Sequence, residues 1–525
     1  MPSLTGVRWA AIVGSLLGGL AIGAHGRAQA PAAAPLWADV TADALGATKF
    51  WTNKVEIADL DGDGRLDLLF ANGGDYSTPG TPEPNQVFLN TGPGWRFTEA
   101  TAEILGATPD LARVIKARDL NGDGFMDIVV GTTYQTQSRL YLGSGRRFQE
   151  VTATHLPAAV LSVGDLESGD VDGDGDLDLV LADWGPGDNM SNDGGRTRLW
   201  LNDGAGGFVD ATSSRMPDIR VRFSWDLELA DVDNDADLDI LVSCKRCGGS
   251  HLFRNDGAGS FADDPRALPQ YTNNYELEPM DLDGDGWLDL VTINDGEIVG
   301  GNPTSRREHV FRNDGKGRFR DVTDAWWPPS SNVGEDDNMA AFLDYDSDGD
   351  ADFIVGSLSG PDRLLINDGR GHLTVRLDVF SGEDTPGTLG LAVADLDGDR
   401  RVDVVQGQGE HKTAIGERVF SGQGLSPDTS APSVTMVGIR EPIGGRRVVQ
   451  ARVHDRKSPG LPSEWRRVAV EWPTASGTRE VAMRWYGEYL WRAEWPTDIP
   501  RAASFRVCAT DAAKNTACTR GDAKP

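Results

Sequence analysis

Asp59-Leu60-Asp61-Gly62-Asp63-Gly64-Arg65-Leu66-Asp67 decides the reading of this 525-residue chain, because the chain writes that pattern seven times. Further copies begin at Asp119, Asp170, Asp231, Asp281, Asp344 and Asp395. Positions 1, 3, 5 and 9 carry a side-chain oxygen in every copy. They are Asp59, Asp61, Asp63 and Asp67 in the first copy, Asp119, Asn121, Asp123 and Asp127 in the second, and Asp170, Asp172, Asp174 and Asp178 in the third. The later copies supply Asp231, Asp233, Asp235 and Asp239; Asp281, Asp283, Asp285 and Asp289; Asp344, Asp346, Asp348 and Asp352; and Asp395, Asp397, Asp399 and Asp403. Four short oxygen donors at this spacing suit a hard cation that takes six to eight oxygens, so calcium is the expected cofactor, at up to seven sites.

The spacing also opens a helix–loop–helix calcium site, but that site needs a bidentate Glu at position 12. Position 12 here is Phe70, Val130 or Leu181 in the first three copies. Residues such as Leu66-Asp67-Leu68-Leu69-Phe70 read as a strand, so the motif is a metal loop between two β-strands. An acidic hairpin turn without metal would account for one or two copies, not for seven with the same positions filled. Position 6 makes a sharp turn that favours Gly. Gly64, Gly124, Gly175, Gly286 and Gly349 meet that need, whereas the fourth copy has Ala236 and the seventh has Arg400 followed by Arg401. The sites beginning at Asp231 and Asp395 are therefore expected to be the weakest.

A second motif follows at a fixed remove, as Asn90-Thr-Gly-Pro-Gly-Trp-Arg-Phe97 and again at Asn202, Asn255, Asn313 and Asn367. An apolar stretch, an Asn-Asp-Gly turn and an aromatic residue make a β-hairpin signal. Each period then holds four strands, and seven such periods predict an all-β, seven-bladed propeller. Several blades finish with a strand like Phe319-Arg-Asp-Val-Thr323, but the last stops at Leu425 without one. The missing piece stands at the other end as Leu36-Trp-Ala-Asp-Val-Thr41, which predicts that the N-terminal strand completes the seventh blade.

The two motifs in register resemble FG-GAP (VCBS-type) repeats, the calcium-binding repeats of integrin α-chain propellers and of many secreted bacterial proteins. The resemblance covers about residues 36 to 425. It implies that the calcium loops brace one face of the propeller and that ligands meet the opposite face. The family is a scaffold with many uses, so its fold does not by itself name a function.

Residues 1–30 read as a secretion signal, with Arg8 ahead of an apolar run ending near Ile22 and small residues up to Ala30. The run is too short for a membrane span, so no membrane insertion is expected after its removal. The expected location is secreted, periplasmic or cell-surface. A formal net charge of −31 argues against nucleic acid or anionic membrane as partners, although seven divalent cations would offset nearly half of it. Residues 31–426 are assigned to the propeller. Residues 427–525 follow a Pro-containing linker with alternating apolar residues and five Trp, and are assigned to an immunoglobulin- or fibronectin-like β-sandwich. Cys508 and Cys518 flank its final hairpin and are expected to pair, and Cys244-Lys-Arg-Cys247 is expected to close a local disulfide.

No nucleophile, base and acid stand in a recognisable catalytic motif, so the chain is read as a non-enzyme. Predicted loops on the expected ligand face carry Trp51, Trp184, Trp225, Trp326 and Trp327, which suit stacking on a sugar or anchoring a protein partner. Long loops, including residues 294–308, are expected to stand over this face. Glu56, Lys116, Glu167, Glu228 and Glu278 precede the calcium loops by three residues and could line a channel, with structural salt bridges the plainer role. The resulting reading is a binding or adhesion module for an extracellular carbohydrate or protein. The alternatives are an extracellular polysaccharide hydrolase or lyase and a structural component of a surface complex.

Overall fold

A computed structural model describes residues 34–525 except 76–77, 188–191, 300–301, 383–386, 411–415, 441–445, 459, 476 and 522–525. The secretion signal expected at residues 1–30 lies outside the described residues. The protein is all-β, with short helical turns only. The first sheet runs in the order Thr52–Ala58, Asp67–Asn72, Gln86–Asn90, Phe97–Glu99, every neighbour antiparallel. Four-stranded sheets of the same kind begin at Ala112–Arg118, Val163–Gly169, Leu227–Ala230, Glu276–Met280, Asp337–Leu343 and Thr388–Ala394.

The Asp-rich nonapeptide joins the first two strands of each sheet. Its ninth residue opens the second strand and pairs with the residue just before position 1, as in Ala58↔Asp67, Arg118↔Asp127, Gly169↔Asp178 and Ala230↔Asp239. Met280↔Asp289, Leu343↔Asp352 and Ala394↔Asp403 continue the register, so one end of every sheet carries an Asp loop. The first strands touch one another in sequence order, and Thr388–Ala394 touches Thr52–Ala58, which makes their order cyclic. Apolar side chains fill the junctions, for example Leu69, Ala71 and Val87 of the first sheet with Ile115, Ile128 and Val130 of the second.

The seventh sheet takes its outer strand from the start of the chain. Ala38–Asp39 pairs with Arg418–Ser421. Thr41 Oγ1 then accepts a 3.0 Å hydrogen bond from Val419 N, as Thr101, Thr152, Thr212 and Thr323 do for the third strands of other sheets, also at 3.0 Å. Trp37 is fully buried and its indole donates to Val402 O at 2.8 Å.

The segment expected as a long loop over residues 294–308 is instead a hairpin extension. Strands Asp289–Val299 and Asn302–Asn313 keep pairing past the sheet, with Asp295↔Arg307 and Ile298↔Pro303 in register. The polar composition there hid the strand, because no apolar alternation marks it.

The C-terminal region forms two further four-stranded sheets, one with strands Ser433–Arg440, Val448–His454, Leu490–Glu494 and Arg484–Gly487. The other contains Gly477–Ala482, Trp465–Thr474, Phe505–Asp511 and Thr516–Gly521. They share a core in which Val449, Val470, Trp472 and Val507 are completely buried. Cys508 bonds to Cys518 across neighbouring strands, and Cys244 bonds to Cys247. Residues Pro35–Pro525 form one compact unit. Among the described residues no helix is long and apolar enough to cross a membrane.

Candidate metal loops and the two ends of the sheet array

Backbone donors shape every Asp loop in the same way. The N–H of position 6 donates to Oδ2 of position 1 in all seven, at 2.8 to 3.1 Å. Position 6 has a left-handed backbone throughout, with φ of 84° at Gly64, 68° at Ala236 and 69° at Arg400. That conformation costs a side-chain-bearing residue roughly 1–2 kcal/mol, a cost that Ala236 and Arg400 carry and the glycines of the other loops do not. The position-9 carboxylate faces two ways. In the first loop Asp67 accepts from Leu60 N at 2.8 Å and from Asn90 N at 2.7 Å, so it ties its loop to the end of the third strand.

The hairpin Asn has a role that its turn motif did not reveal. Asn90, Asn202, Asn255, Asn313 and Asn367 each donate their side-chain N–H to a loop carbonyl of the preceding sheet, at Leu396, Leu120, Val171, Val232 and Leu282, over 2.7 to 2.9 Å. Each is therefore a clamp between sheets. The second and seventh sheets have Gly143 and Gly422 at this place, which keep the backbone bond to Asp127 and Asp403 but have no amide to reach across. A gap in the Asn pattern was the available signal.

The loop residues fit a divalent cation by two independent observations. Donor oxygens of Asp59, Asp61 and Asp67 lie within 4.8 Å of one another, as do those of Asp281, Asp283 and Asp285. Burial, with neighbouring carboxylates adding to it, pushes Asp67 up to about 7, Asp178 and Asp289 to about 8 and Asp352 to about 9. Carboxylates crowded in this way need a counter-charge to ionise.

The C-terminal sheets rest on the Asp-loop end. Tyr486 O accepts from Asp170 N at 2.8 Å, Tyr486 Oη donates to Ala236 O at 2.9 Å and Tyr489 Oη to Pro279 O at 3.3 Å. Arg452, only 1% exposed, donates to Asp231 O at 2.7 Å. Between the first strands lie the residues expected around a channel. Arg118 pairs with Glu56, Lys116 lies 2.5 Å from Glu167, and Lys54 reaches Asp165 at 3.4 Å and Asp226 at 3.6 Å. Glu228, Glu276 and Glu278 are held well above the usual carboxylate range, chiefly by burial.

The opposite strand ends converge on a mixed aromatic and charged mouth. Arg113 stands 4.1 Å above the ring of Trp225, and Lys245 Nζ lies 3.7 Å from the centre of the Tyr275 ring and 5.5 Å from that of Trp225. Burial lowers the Lys245 amine well below its ordinary range, against the opposing pull of Glu410 and Asp336. Burial raises the Glu410 carboxyl, with Lys245 and Arg113 opposing that and Asp336 and Asp75 adding to it, so ionisable groups from five of the seven sheets act on one another at this end.

The expectation of exposed tryptophan platforms is corrected here. Trp184 and Trp225 are 1% and 7% exposed and pack with Phe223 and Tyr275, while Trp326 and Trp327, at 9% and 0%, belong to the core between the fifth and sixth sheets. Trp326 ends the helical turn Thr323–Trp326 and Trp327 follows it, which turns both rings into the core and away from solvent. Only Trp51 is half-buried, with its indole N–H on Asn53 Oδ1 at 3.2 Å.

The FG-GAP-like repeat family matches residues 59–130, 119–181, 170–242, 242–292 and 344–405. No curated protein sequence matches the chain. Among solved structures, an Agrocybe aegerita lectin that recognises non-reducing terminal N-acetylglucosamine is 20% identical over 63% of this chain and 82% of its own, with a TM-score of 0.41. The V. cholerae biofilm matrix protein Bap1 is 14% identical, covers 91% of this chain and 73% of its own, and has a TM-score of 0.35. A Penicillium chrysogenum alpha-L-arabinanase is 11% identical over 74% and 96% of the two chains, with a TM-score of 0.37.

Proposed function

Because this chain belongs to the FG-GAP-like repeat family, we propose that its seven sheets are the blades of a calcium-stabilised propeller, closed by the N-terminal strand and followed by an immunoglobulin-like sandwich. The observation that carries this reading is the common register of the Asp loops, each joining the first two strands of its sheet. Positions 1, 3, 5 and 9 would hold the ion, and calcium when bound supplies the counter-charge that lets these carboxylates ionise together. The chain's own residues do the rest. Position 1 is oriented by the position-6 N–H, and position 9 ties the loop to the third strand.

The protein is then a secreted, periplasmic or cell-surface binding module without catalytic activity. The structural disulfide between Cys508 and Cys518 suits an oxidising compartment. The C-terminal sheets cover the Asp-loop end, so the mouth around Arg113, Lys245, Asp336 and Glu410 is the end left for a carbohydrate or protein partner. The test is binding to a glycan and polysaccharide array, with calcium and with chelator, for the natural chain and Arg113→Glu. Retention without turnover, weakened at least tenfold by the substitution, supports the module. Release of soluble sugar would favour a polysaccharide hydrolase or lyase instead.

A further inference from the structure

The third and fourth Asp loops differ from the other five at position 1. Asp170 and Asp231 are 4% and 1% exposed, whereas Asp59, Asp119, Asp281, Asp344 and Asp395 are all partly exposed. The cover comes from the C-terminal sheets. Arg492 pairs with Asp170 Oδ2, the oxygen that also accepts from Gly175 N. Arg452 Nη2 lies 2.7 Å from Asp231 O and 3.8 Å from Asp231 Oδ2, and its Nη1 reaches Gly286 O at 3.2 Å. Arg440 adds a pair with Asp237 and stands 3.7 Å from Asp235.

The shape of the two loops does not set them apart. Oxygens of Asp170, Asp172 and Asp178 still lie within 4.8 Å of one another, as do those of Asp231, Asp233 and Asp235. Arginines also approach other loops, chiefly at positions 3 and 5, and the partly exposed Arg456 adds its charge to Asp344 at position 1 of the sixth loop. Arg146, 62% exposed, meets Asp61 at 2.5 Å, and Arg312, 37% exposed, meets Asp283 at 2.7 Å and Asp285 at 3.0 Å. Such side chains can swing away and leave position 1 open. Arg452 has no such freedom, because it is buried and its charge needs the loop that faces it. A cation entering beside it would meet a fixed positive charge at close range in a poorly hydrated place.

We propose that the third and fourth loops take a guanidinium where the other loops take a metal ion, and that they form a metal-independent joint between the sheet array and the C-terminal sheets. This rests on the calcium reading of the remaining loops. Chelator would then loosen the array while leaving the C-terminal region docked.

The experiment is a crystal of the natural chain soaked with terbium, with the anomalous map read loop by loop. Limited proteolysis of the linker around residues 426–432, with calcium and with chelator, accompanies it. Peaks are expected at the first, second, fifth and sixth loops, a weaker one at the seventh, and none at the third and fourth, with linker cleavage changing less than about twofold on chelation. In Arg452→Ala/Arg492→Ala, peaks are expected to appear at the two vacated loops. Should that variant fail to fold, the map of the natural chain decides alone. A peak at the third or fourth loop of the natural chain would overturn the proposal and leave the calcium reading intact. No peak at any loop would overturn the calcium reading and this inference with it.

Discussion

Asn202 couples two sheets through one side chain. Its Nδ2 donates to Leu120 O at 2.7 Å and to Leu177 O at 2.8 Å, while its Oδ1 accepts from Gly204 N at 3.1 Å and Gly206 N at 3.2 Å. Replacing Asn202 by Ala leaves buried carbonyls unpaired, which costs roughly 1–3 kcal/mol. Urea unfolding in saturating calcium measures it, and an unchanged midpoint would show that the clamp is idle. Trp327→Ala is expected to cost about 3–5 kcal/mol, since the ring is fully buried against Phe353. A variant that loses ligand but keeps its unfolding midpoint would return Trp327 to the binding surface. The turn that places Asn202 was legible in the sequence. Its partner Leu120 was not, because it lies 82 residues away and bonds through its backbone, which leaves no mark on residue type.

At the scale of elements, the Asp loop and the hairpin were legible because each repeats in register, and the N-terminal strand because its motif is missing at the other end. The strand Ala38–Asp39 is short, so its hold on the seventh sheet comes mostly from its flanks. Leu36 N bonds Val379 O at 2.8 Å, Ser381 N bonds Trp37 O at 2.8 Å, and Trp37 stacks on Phe380 at 5.3 Å. Deleting residues 31–41 removes a buried Trp and exposes the edge of Arg418–Ser421, an expected loss of at least 3–5 kcal/mol, about that of a buried Trp truncation. Calorimetry of the truncated chain checks this, and a midpoint within 2 °C of the parent, about what a fraction of a kcal/mol would shift it, would mean that the array closes without the strand. The cover over the Asp-loop end was illegible. It depends on Tyr486, Arg452 and Arg492, which the sequence shows only as ordinary residues of a second module.

For the molecule as a whole, buried carboxyls give metal-free stability a definite pH dependence. Burial holds Asp362 up at about 7 and Asp226 at about 8, and without a cation Asp67, Asp289 and Asp352 act in the same sense at about 7, 8 and 9. Raised folded-state values mean that the native state holds protons the unfolded chain releases. The stability they contribute is complete below about pH 4 and is lost as pH rises through 7 to 9. In chelator the melting temperature should therefore fall between pH 5 and pH 9. In calcium the loop acids should titrate in the opposite sense, because protons compete with the ion, so the two curves diverge as pH rises. Parallel curves would mean that the loops carry no ion.

The most direct test of the central claim is differential scanning calorimetry of the chain at pH 7.5 in millimolar calcium and again in excess chelator. Calcium held by several loops predicts a melting temperature lower by roughly 10 °C or more in chelator, restored by adding calcium back. An unchanged melt would contradict the account, because the Asp loops would then be acidic turns that need no metal.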